Sequence, residues 1–470
     1  MDCVVAIDFG STYTKGAVLD RGSGRVVGVA YTPSTVATDV TVGLAHVLAK
    51  LRAELGGDIE RLPALACSSA AGGLRVAVIG LVPVLSLEAA QRAALGAGAR
   101  IVGAYGYKMT RQTLEALRSA NPDIVLLAGG TDGGDEETIV HNARMLANSI
   151  LSAPVVVAGN ACAADECVAC LKDAGKTVLA TQNLLPEVDR VEPAAVHSII
   201  RDLFIRRITH AKGIDRAKEY LNLVADIIPT PSAVLEAARV VADGVDGTRG
   251  LGDTIVVDVG GATTDVYSIA SGAPTRPGVI TRGLPELHVK RTVEGDLGMR
   301  INASAIVERF GKDKLAGLAV LAGHAADMDD GAVEGYAEQL SAFTAFVPRS
   351  VQERALDQAL GRAAVHTAVQ RHAGSLRDVY TPSGFVMVQE GKDLSEVAAV
   401  VGVGGVLSHG GNPRFVLEGA LGRDDDRFNV LPRRSTLYLD RQYVLYGVGL
   451  LASIDAPAAF AISRAALATL

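Results

Sequence analysis

The sequence predicts an α/β protein, and two features carry that prediction. Near the amino terminus the β-branched run Val4-Val5-Ala6-Ile7 ends in Asp8, Gly10 permits a tight turn, Ser11 and Thr12 follow, and a second extended segment begins at Tyr13. A partial echo stands roughly 250 positions later, at Val256-Val257-Asp258-Val259-Gly260-Gly261-Ala262-Thr263-Thr264-Asp265, which suggests two related halves. Between the two, short apolar runs alternate with helical patterns. Residues 124–128 precede Gly129-Gly130-Thr131-Asp132-Gly133-Gly134-Asp135, residues 155–158 precede Gly159-Asn160, and residues 177–180 precede Thr181-Gln182-Asn183. That βαβ rhythm indicates a parallel sheet with helices on its faces.

Taken in order, the first turn is followed by strands at 16–20 and 26–31, joined by the hairpin-like Arg21-Gly22-Ser23-Gly24. Leu44, Val47, Leu48, Leu51 and Leu55 fall at intervals of three and four, so 42–55 is an amphipathic helix ended by Gly56-Gly57. The α/β rhythm fills about 62–190. Residues 193–208 continue helically, with Val196, Ile199, Ile200 and Leu203 on one face. Thr230-Pro231 reads as a cap and first-turn proline for a helix over 232–241. A further helix over 443–452 carries Gly447, Gly449 and Ala452, small residues that let two helices cross closely and make a hinge between the halves.

Composition narrows the function. The chain has 470 residues, 49% of them hydrophobic, which is ample for more than one core. Net charge is −7 with acidic and basic residues interspersed, so no basic stripe offers a track for nucleic acid. With no Trp and 4% aromatics there is little material for base stacking. Asp2 and Asp8 flank the first apolar run, unlike a secretory signal, and the stretch near 397–408 is too short and glycine-rich to span a bilayer. Five cysteines, unevenly spaced, fit a reducing compartment, so a cytoplasmic protein without membrane spans is expected.

The paired turns are the chemical signal. A glycine turn offers backbone N–H groups and hydroxyls to phosphate oxygens, and an aspartate at a strand end can hold Mg²⁺ through its waters. One such turn is an ordinary hairpin; two suggest half-domains facing one nucleotide. Other candidates read as structure. The 129–135 loop opens onto a helix but holds no basic residue, so turning the chain is its simplest use. Cys162, Cys167 and Cys170 have the spacing of three iron–sulfur ligands, with Cys67 or Cys3 as a conceivable fourth, yet 161–171 reads as a small-residue helix in which buried cysteines are common. His409 reads as a packed or capping residue, and the acidic stretches 327–330 and 424–426 as solvated loops without calcium-ligand spacing.

Three signatures stand in order: Asp8-Phe9-Gly10-Ser11-Thr12, the Asp258 to Asp265 motif, and Val401-Gly402-Val403-Gly404-Gly405. Together they resemble the phosphate loops and adenosine motif of the actin, sugar-kinase and heat-shock-chaperone ATPases. The resemblance implies two ribonuclease-H-like (actin-like) domains around an ATP cleft, with an α/β insertion in the first. More narrowly, the stretch Leu126-Leu127-Ala128-Gly129-Gly130-Thr131-Asp132-Gly133-Gly134, the second turn, and Tyr443-Val444-Leu445-Tyr446-Gly447-Val448-Gly449-Leu450-Leu451 are similar to the MutL accessory proteins of glutamate mutase. The domains implied are 1–245, with the insertion at about 62–190, then 246–440, then carboxy-terminal helices over 441–470 that return to the first domain.

The resemblance implies an ATP- and Mg²⁺-binding protein, a slow ATPase, acting as a chaperone or reactivating factor on the subunits of an adenosylcobalamin-dependent mutase. Asp8 would organise the waters of Mg²⁺, while Gly10, Ser11 and Thr12 would donate to the β- and γ-phosphates. Asp258 would orient the attacking water or bind metal, Gly260, Gly261 and Thr263 would hold the γ-phosphate, and Gly404 and Gly405 would let the backbone approach adenine. Lys15 has two readings, a phosphate contact or a surface lysine, because strand alternation sets it opposite Thr14; Asp265 has no assigned role. Alternatives are a small-molecule kinase and an actin-like assembly protein, and homo-oligomerisation stays open.

Overall fold

Strand β1 (Cys3–Phe9) is buried at every position, as an apolar run in the middle of a sheet should be. It runs antiparallel to β2 (Tyr13–Asp20), which runs antiparallel to β3 (Arg25–Pro33); on its other side it is parallel to β4 (Pro63–Ser68). The computed structural model describes residues 2–36, 38–69, 74–208, 213–323, 330–382, 384–423 and 426–470. Two compact units divide the chain: Met1–Ala70, His210–Arg282 and Glu286–Leu470 form the first, Ala71–Thr209 with Gly283–Pro285 the second.

The second unit holds β5 (Arg75–Gly80), β6 (Arg100–Gly106), β7 (Ile124–Leu127), β8 (Val155–Val157) and β9 (Val178–Ala180) in one all-parallel sheet of order β6-β5-β7-β8-β9. The helices Arg111–Ala120, Glu137–Ala147 and Ala161–Asp173 alternate with the strands, and their Leu117, Ile139, Leu146, Cys167 and Leu171 pack with Ile79, Val125 and Val157. Cys167 is buried in that core, Cys170 is half-buried and Cys162 exposed, all three as free thiols on one helix. In the 129–135 loop, Asn160 accepts from the Gly133 amide and donates to the Gly134 and Asp135 carbonyls, while Asn183 donates to Gly130 O and Asp132. These contacts brace the loop from two neighbouring segments.

In the first unit β10 (Asn222–Leu223) and β11 (Ile228–Pro229) extend the first sheet beyond β4. After the short β12 (Gly244–Val245) and β13 (Thr248–Arg249) hairpin comes β14 (Thr254–Val259), antiparallel to β15 (Thr264–Ile269). The strand β16 (Ile280–Arg282) joins a small separate sheet with β18 (Ser375–Thr381) and β19 (Gly384–Glu390). The second large sheet takes β17 (Val289–Glu294), β20 (Ala399–Val403), β21 (Thr436–Asp440) and β22 (Leu467–Thr469) in the order β17-β15-β14-β20-β21-β22. Its β17-β15-β14-β20 portion repeats β3-β2-β1-β4: three antiparallel strands, then a parallel one on the far side of the first. The expected pair of ribonuclease-H-like halves is therefore present as a duplicated topology.

Helices Thr230–Asp243, Leu445–Ala452 and Ala456–Ala466 share one core with both sheets, through Val4, Ala6, Leu19, Val256, Tyr267 and Val401. Their crossing depends on small residues. A Cβ added at Gly449 would lie 1.7 Å from the Ala233 carbonyl oxygen, and one at Gly447 would lie 3.1 Å from Ala6 Cβ. Pro231 sits in the first turn of the Thr230–Asp243 helix, and Gly244, at φ 79, ends it. Among the described residues no helix is long and apolar enough to cross a membrane. Residues 327–329 and 424–425 of the acidic stretches lie outside the described residues; Asp426 accepts from the Phe428 and Asn429 amides, as a turn-forming aspartate does.

Candidate functional site

The turns after β1 and β14 are built alike. The Gly10 N–H donates to the Tyr13 carbonyl at 3.0 Å, and the Gly260 N–H to the Thr263 carbonyl at 2.9 Å. A Cβ at Gly10 would lie 2.4 Å from Tyr13 O, and one at Gly260 2.9 Å from Thr263 O, so glycine is what lets each chain fold back so tightly. In register, Asp8 stands opposite Lys15 and Asp258 opposite Asp265. The two turns also meet: a Cβ at Gly261 would lie 2.8 Å from Thr12 Cγ2. They border a cleft of ≈ 510 Å³ lined by Asp8, Gly10, Ser11, Thr12, Lys15, Asp258, Gly260, Gly261, Thr263 and Gly405. That volume is in the range of small-molecule sites, about 300–1,000 Å³.

A chain of polar contacts crosses this cleft. Asp8 is buried; its Oδ2 accepts from Lys15 Nζ at 2.9 Å and its Oδ1 from Thr230 Oγ1 at 2.7 Å and, more weakly, from the Cys67 thiol at 3.6 Å. Lys15 Nζ lies 3.7 Å from the Tyr443 ring centroid, and the Tyr443 hydroxyl donates to Asp258 Oδ1 at 3.4 Å. Lys15 is thus turned into the cleft and not to the outside. Burial works against its ammonium form, but Asp8, Tyr443 and Asp258 outweigh that and hold its pKa well above the usual lysine value. Tyr443 takes up a left-handed conformation, φ 55, two residues before the Leu445–Ala452 helix, and burial beside Asp258 raises its phenol pKa.

The two aspartates of the second turn differ in their surroundings. Asp265 is held by Arg291, with Nη2 at 2.6 Å and Nε at 3.0 Å from Oδ1, and by Thr263 Oγ1 at 2.9 Å from Oδ2. Asp258 forms no ion pair with a described residue. Burial pushes its carboxyl up to about 7; Lys15 opposes the shift and the neighbouring Asp265 and Asp8 add to it.

The amides of Met299, Arg300 and Ile301 close over the second turn by donating to the Gly260 and Gly261 carbonyls at 2.9 to 3.0 Å. Arg300 then reaches Asp357 at 3.0 Å, which also accepts from the Tyr336 hydroxyl. Gly404 lies behind the wall of the cleft at φ 113, where a Cβ would lie 2.2 Å from the Val259 carbonyl oxygen. Gly405 faces the cleft, and a Cβ there would meet nothing within 4 Å. His409 ends the short Gly405–Ser408 helix and stacks on Tyr31 at 5.4 Å, its pKa lowered by burial. Thr230, Arg300, Asp357 and Tyr443 line the cleft, whereas Cys67 and Arg291 act behind it on Asp8 and Asp265; Arg291, Arg300 and Asp357 carry no local signature of a site and are brought there by long-range folding. Among the described residues no group of three or more His, Cys, Asp or Glu side chains is arranged to hold a metal ion by itself.

Two ribonuclease-H-like halves with matched Asp–Gly turns on one cleft place the protein in the actin, sugar-kinase and heat-shock-chaperone fold class. Residues 4–467 match the family model described as MutL protein. A curated relative, Protein MutL of Clostridium tetanomorphum, is 42% identical over 453 residues, covering 96% of each chain. The chain belongs to the MutL family. Solved structures with lower similarity include an activator of the 2-hydroxyisocaproyl-CoA dehydratase from Clostridium difficile with bound ADPNP, at 11% identity over 97% of this chain and 95% of that one, TM-score 0.34. A xylulose kinase from Bifidobacterium adolescentis is 12% identical over 98% and 93% of the two chains, TM-score 0.32.

Proposed function

We propose that the cleft binds ATP with Mg²⁺ and hydrolyses it slowly, and that the protein uses the cycle to act on an adenosylcobalamin-dependent glutamate mutase or a related aminomutase. The observation that carries the chemistry is the meeting of the two turns: Thr12 against Gly261, with Asp8 and Asp258 linked through Lys15 and Tyr443. Backbone N–H groups and the hydroxyls of Ser11, Thr12 and Thr263 would hold the phosphates, and the bare Gly405 would leave room for the adenosine end.

The donor set fits Mg²⁺. Asp258 is left without an ion-pair partner among the described residues, beside two further carboxylates, and a divalent cation held through waters by Asp8 and Asp258 would relieve that repulsion. Bound there, the metal would neutralise charge on the phosphates. Lys15 holds Asp8 in place, while Asp258, without an ion-pair partner among the described residues, would orient a water and accept its proton.

The partner follows from the family resemblance. A reactivating factor must bind its target differently in its ATP and ADP states, because a nucleotide shifts an equilibrium only by its differential interaction with the two states. The test is to inactivate a purified adenosylcobalamin-dependent mutase by turnover, then add this protein with fresh cofactor and ATP, ADP or a non-hydrolysable analogue. Recovery should require hydrolysable ATP and fail with Asp258→Ala. Nucleotide-independent binding without recovery, together with phosphorylation of a sugar or polyol, would replace this reading with that of a small-molecule kinase.

A further inference from the structure

Gln358 is 6% exposed, lines the cleft, and its carboxamide oxygen is buried with no hydrogen-bond partner among the described residues. Buried polar atoms are nearly always paired, so an unpartnered buried acceptor on a residue that lines a binding cleft calls for an explanation. The residue sits on the Val351–His372 helix, directly after Asp357, whose carboxylate is already engaged by Arg300 and Tyr336. Its amide nitrogen lies toward the Gly410-Gly411 segment, where a Cβ at Gly411 would come within 3.2 Å of it. One turn along the same helix Gly361 packs toward Val406, another lining residue, and Phe346, Val347 and Pro348 supply apolar surface to the same cleft. Apolar surface beside a buried carboxamide with an unpaired oxygen has the chemistry to read a heterocyclic base.

We infer that Gln358 selects the base of the nucleotide, its side-chain oxygen accepting a hydrogen bond from the 6-amino group of adenine while its amide nitrogen donates to an adjacent ring nitrogen. This rests on the nucleotide reading above and adds the group that determines specificity. A carboxamide matches the donor and acceptor pair of adenine in a two-point contact. In the same pose, hypoxanthine or guanine sets a carbonyl oxygen against the carboxamide oxygen, so two acceptors meet with no proton between them. A site built to hydrogen-bond a ligand group rejects the analogue lacking that group, because its own buried polar atom is left unpaired.

The test compares ADP with IDP, in which a 6-oxo group replaces the 6-amino group and N1 carries a proton, by calorimetric titration of the full-length protein. The wild type should prefer ADP by about 5- to 150-fold, the range of one two-point base contact. Gln358→Met, which keeps the volume and removes both polar ends, should bring the two affinities within about 3-fold of each other, with a Tm no lower than that of the wild type, since it also removes an unpaired buried acceptor. Gln358→Glu keeps the acceptor and should still favour ADP, which guards against a folding failure of the methionine variant. An unchanged ADP to IDP ratio in Gln358→Met, or equal wild-type affinities for the two, overturns this inference and leaves the nucleotide reading intact. A wild type that binds neither nucleotide removes both.

Discussion

Lys15 and Asp265 occupy the same register position in two copies of one hairpin and carry opposite charge: Lys15 faces Asp8, Asp265 faces Asp258. Duplication supplied the frame, and this difference makes the two turns chemically unequal. The first carries its own counterion for its aspartate, while in the second the partner position adds a negative charge that Arg291 of β17 takes up. Asp258 is thereby left as the carboxyl open to a cation or a proton.

Lys15→Met should accordingly do more harm than loss of a surface charge. The Lys15 side chain is 15% exposed and that of Asp8 1%, and removing one member of a buried pair leaves the other uncompensated, at about 3–5 kcal/mol. Urea denaturation should show a loss on that scale. Lys15→Met combined with Asp8→Asn should recover much of the stability without recovering ATP hydrolysis. A stability unchanged in the single variant would show that solvent already screens the pair.

Asp258 gives the apo protein a pH dependence of known sign. Its folded-state pKa is raised from 3.8 to about 7, so its contribution to stability is complete below the unfolded value and is lost as pH rises through 7. Asp440, raised to about 6 by burial, adds a loss of the same sign and is common to both proteins compared. Relative to the wild type, Asp258→Asn should therefore gain stability between pH 4 and 8, on the order of a few kcal/mol. Mg²⁺ with ATP should narrow the gap, because a nearby cation favours the ionised carboxylate. Matching stability profiles for the two apo proteins would mean that Asp258 is ionised without cost.

The fold was legible where the sequence repeats itself. The β-branched runs ending in Asp8 and Asp258 located the two central strands, and the glycine turns fixed their hairpins. The helix expected over 42–55 spans Val40–Leu55, and that expected over 232–241 spans Thr230–Asp243, each longer at its start because Asp39 caps the former and a first-turn proline admits the latter. β17 could not be read, since Val289-Lys290-Arg291-Thr292-Val293-Glu294 looks solvent-facing until Arg291 is seen buried against Asp265. Tyr443 was read as the start of a helix; it lies two residues before it, in a left-handed turn whose following Leu445 amide is bound by Asp440. Gln358 and Arg300 were invisible for a simpler reason: neither a position on a long helix nor one in a turn carries a motif for a cavity built from distant segments.

The cysteines yield a prediction about what they do not do. Changing Cys162, Cys167 and Cys170 together to Ala should leave nucleotide affinity unchanged and release no iron or zinc, because they lie on one helix with different exposures and do not converge. The cost in stability, about 1 kcal/mol for a buried position, should come mostly from Cys167, packed beside Leu171 and Ile139. Stoichiometric metal in the wild type by elemental analysis would contradict this.

The tightest helix crossing in the shared core gives the last prediction. Gly449 lets the Leu445–Ala452 helix approach the Ala233 carbonyl so closely that a methyl group would lie 1.7 Å from it and 3.0 Å from the Ala237 nitrogen. Both near atoms are backbone, so no side chain can rotate away and the helices must separate. Overpacking a well-packed core costs about 1–3 kcal/mol, which Gly449→Ala should show in denaturant titration. Gly447→Ala, with 3.1 Å to the Ala6 methyl, should cost less. The same crossing lies next to Tyr443 and Thr230, which contact Asp258 and Asp8, so a shift of the helices should also disturb the cleft. Gly449→Ala should then weaken ADP binding although it touches no lining residue directly, whereas a surface change such as Ser453→Ala should not. If Gly449→Ala loses stability but keeps wild-type ADP affinity, the crossing supports the fold without governing the site.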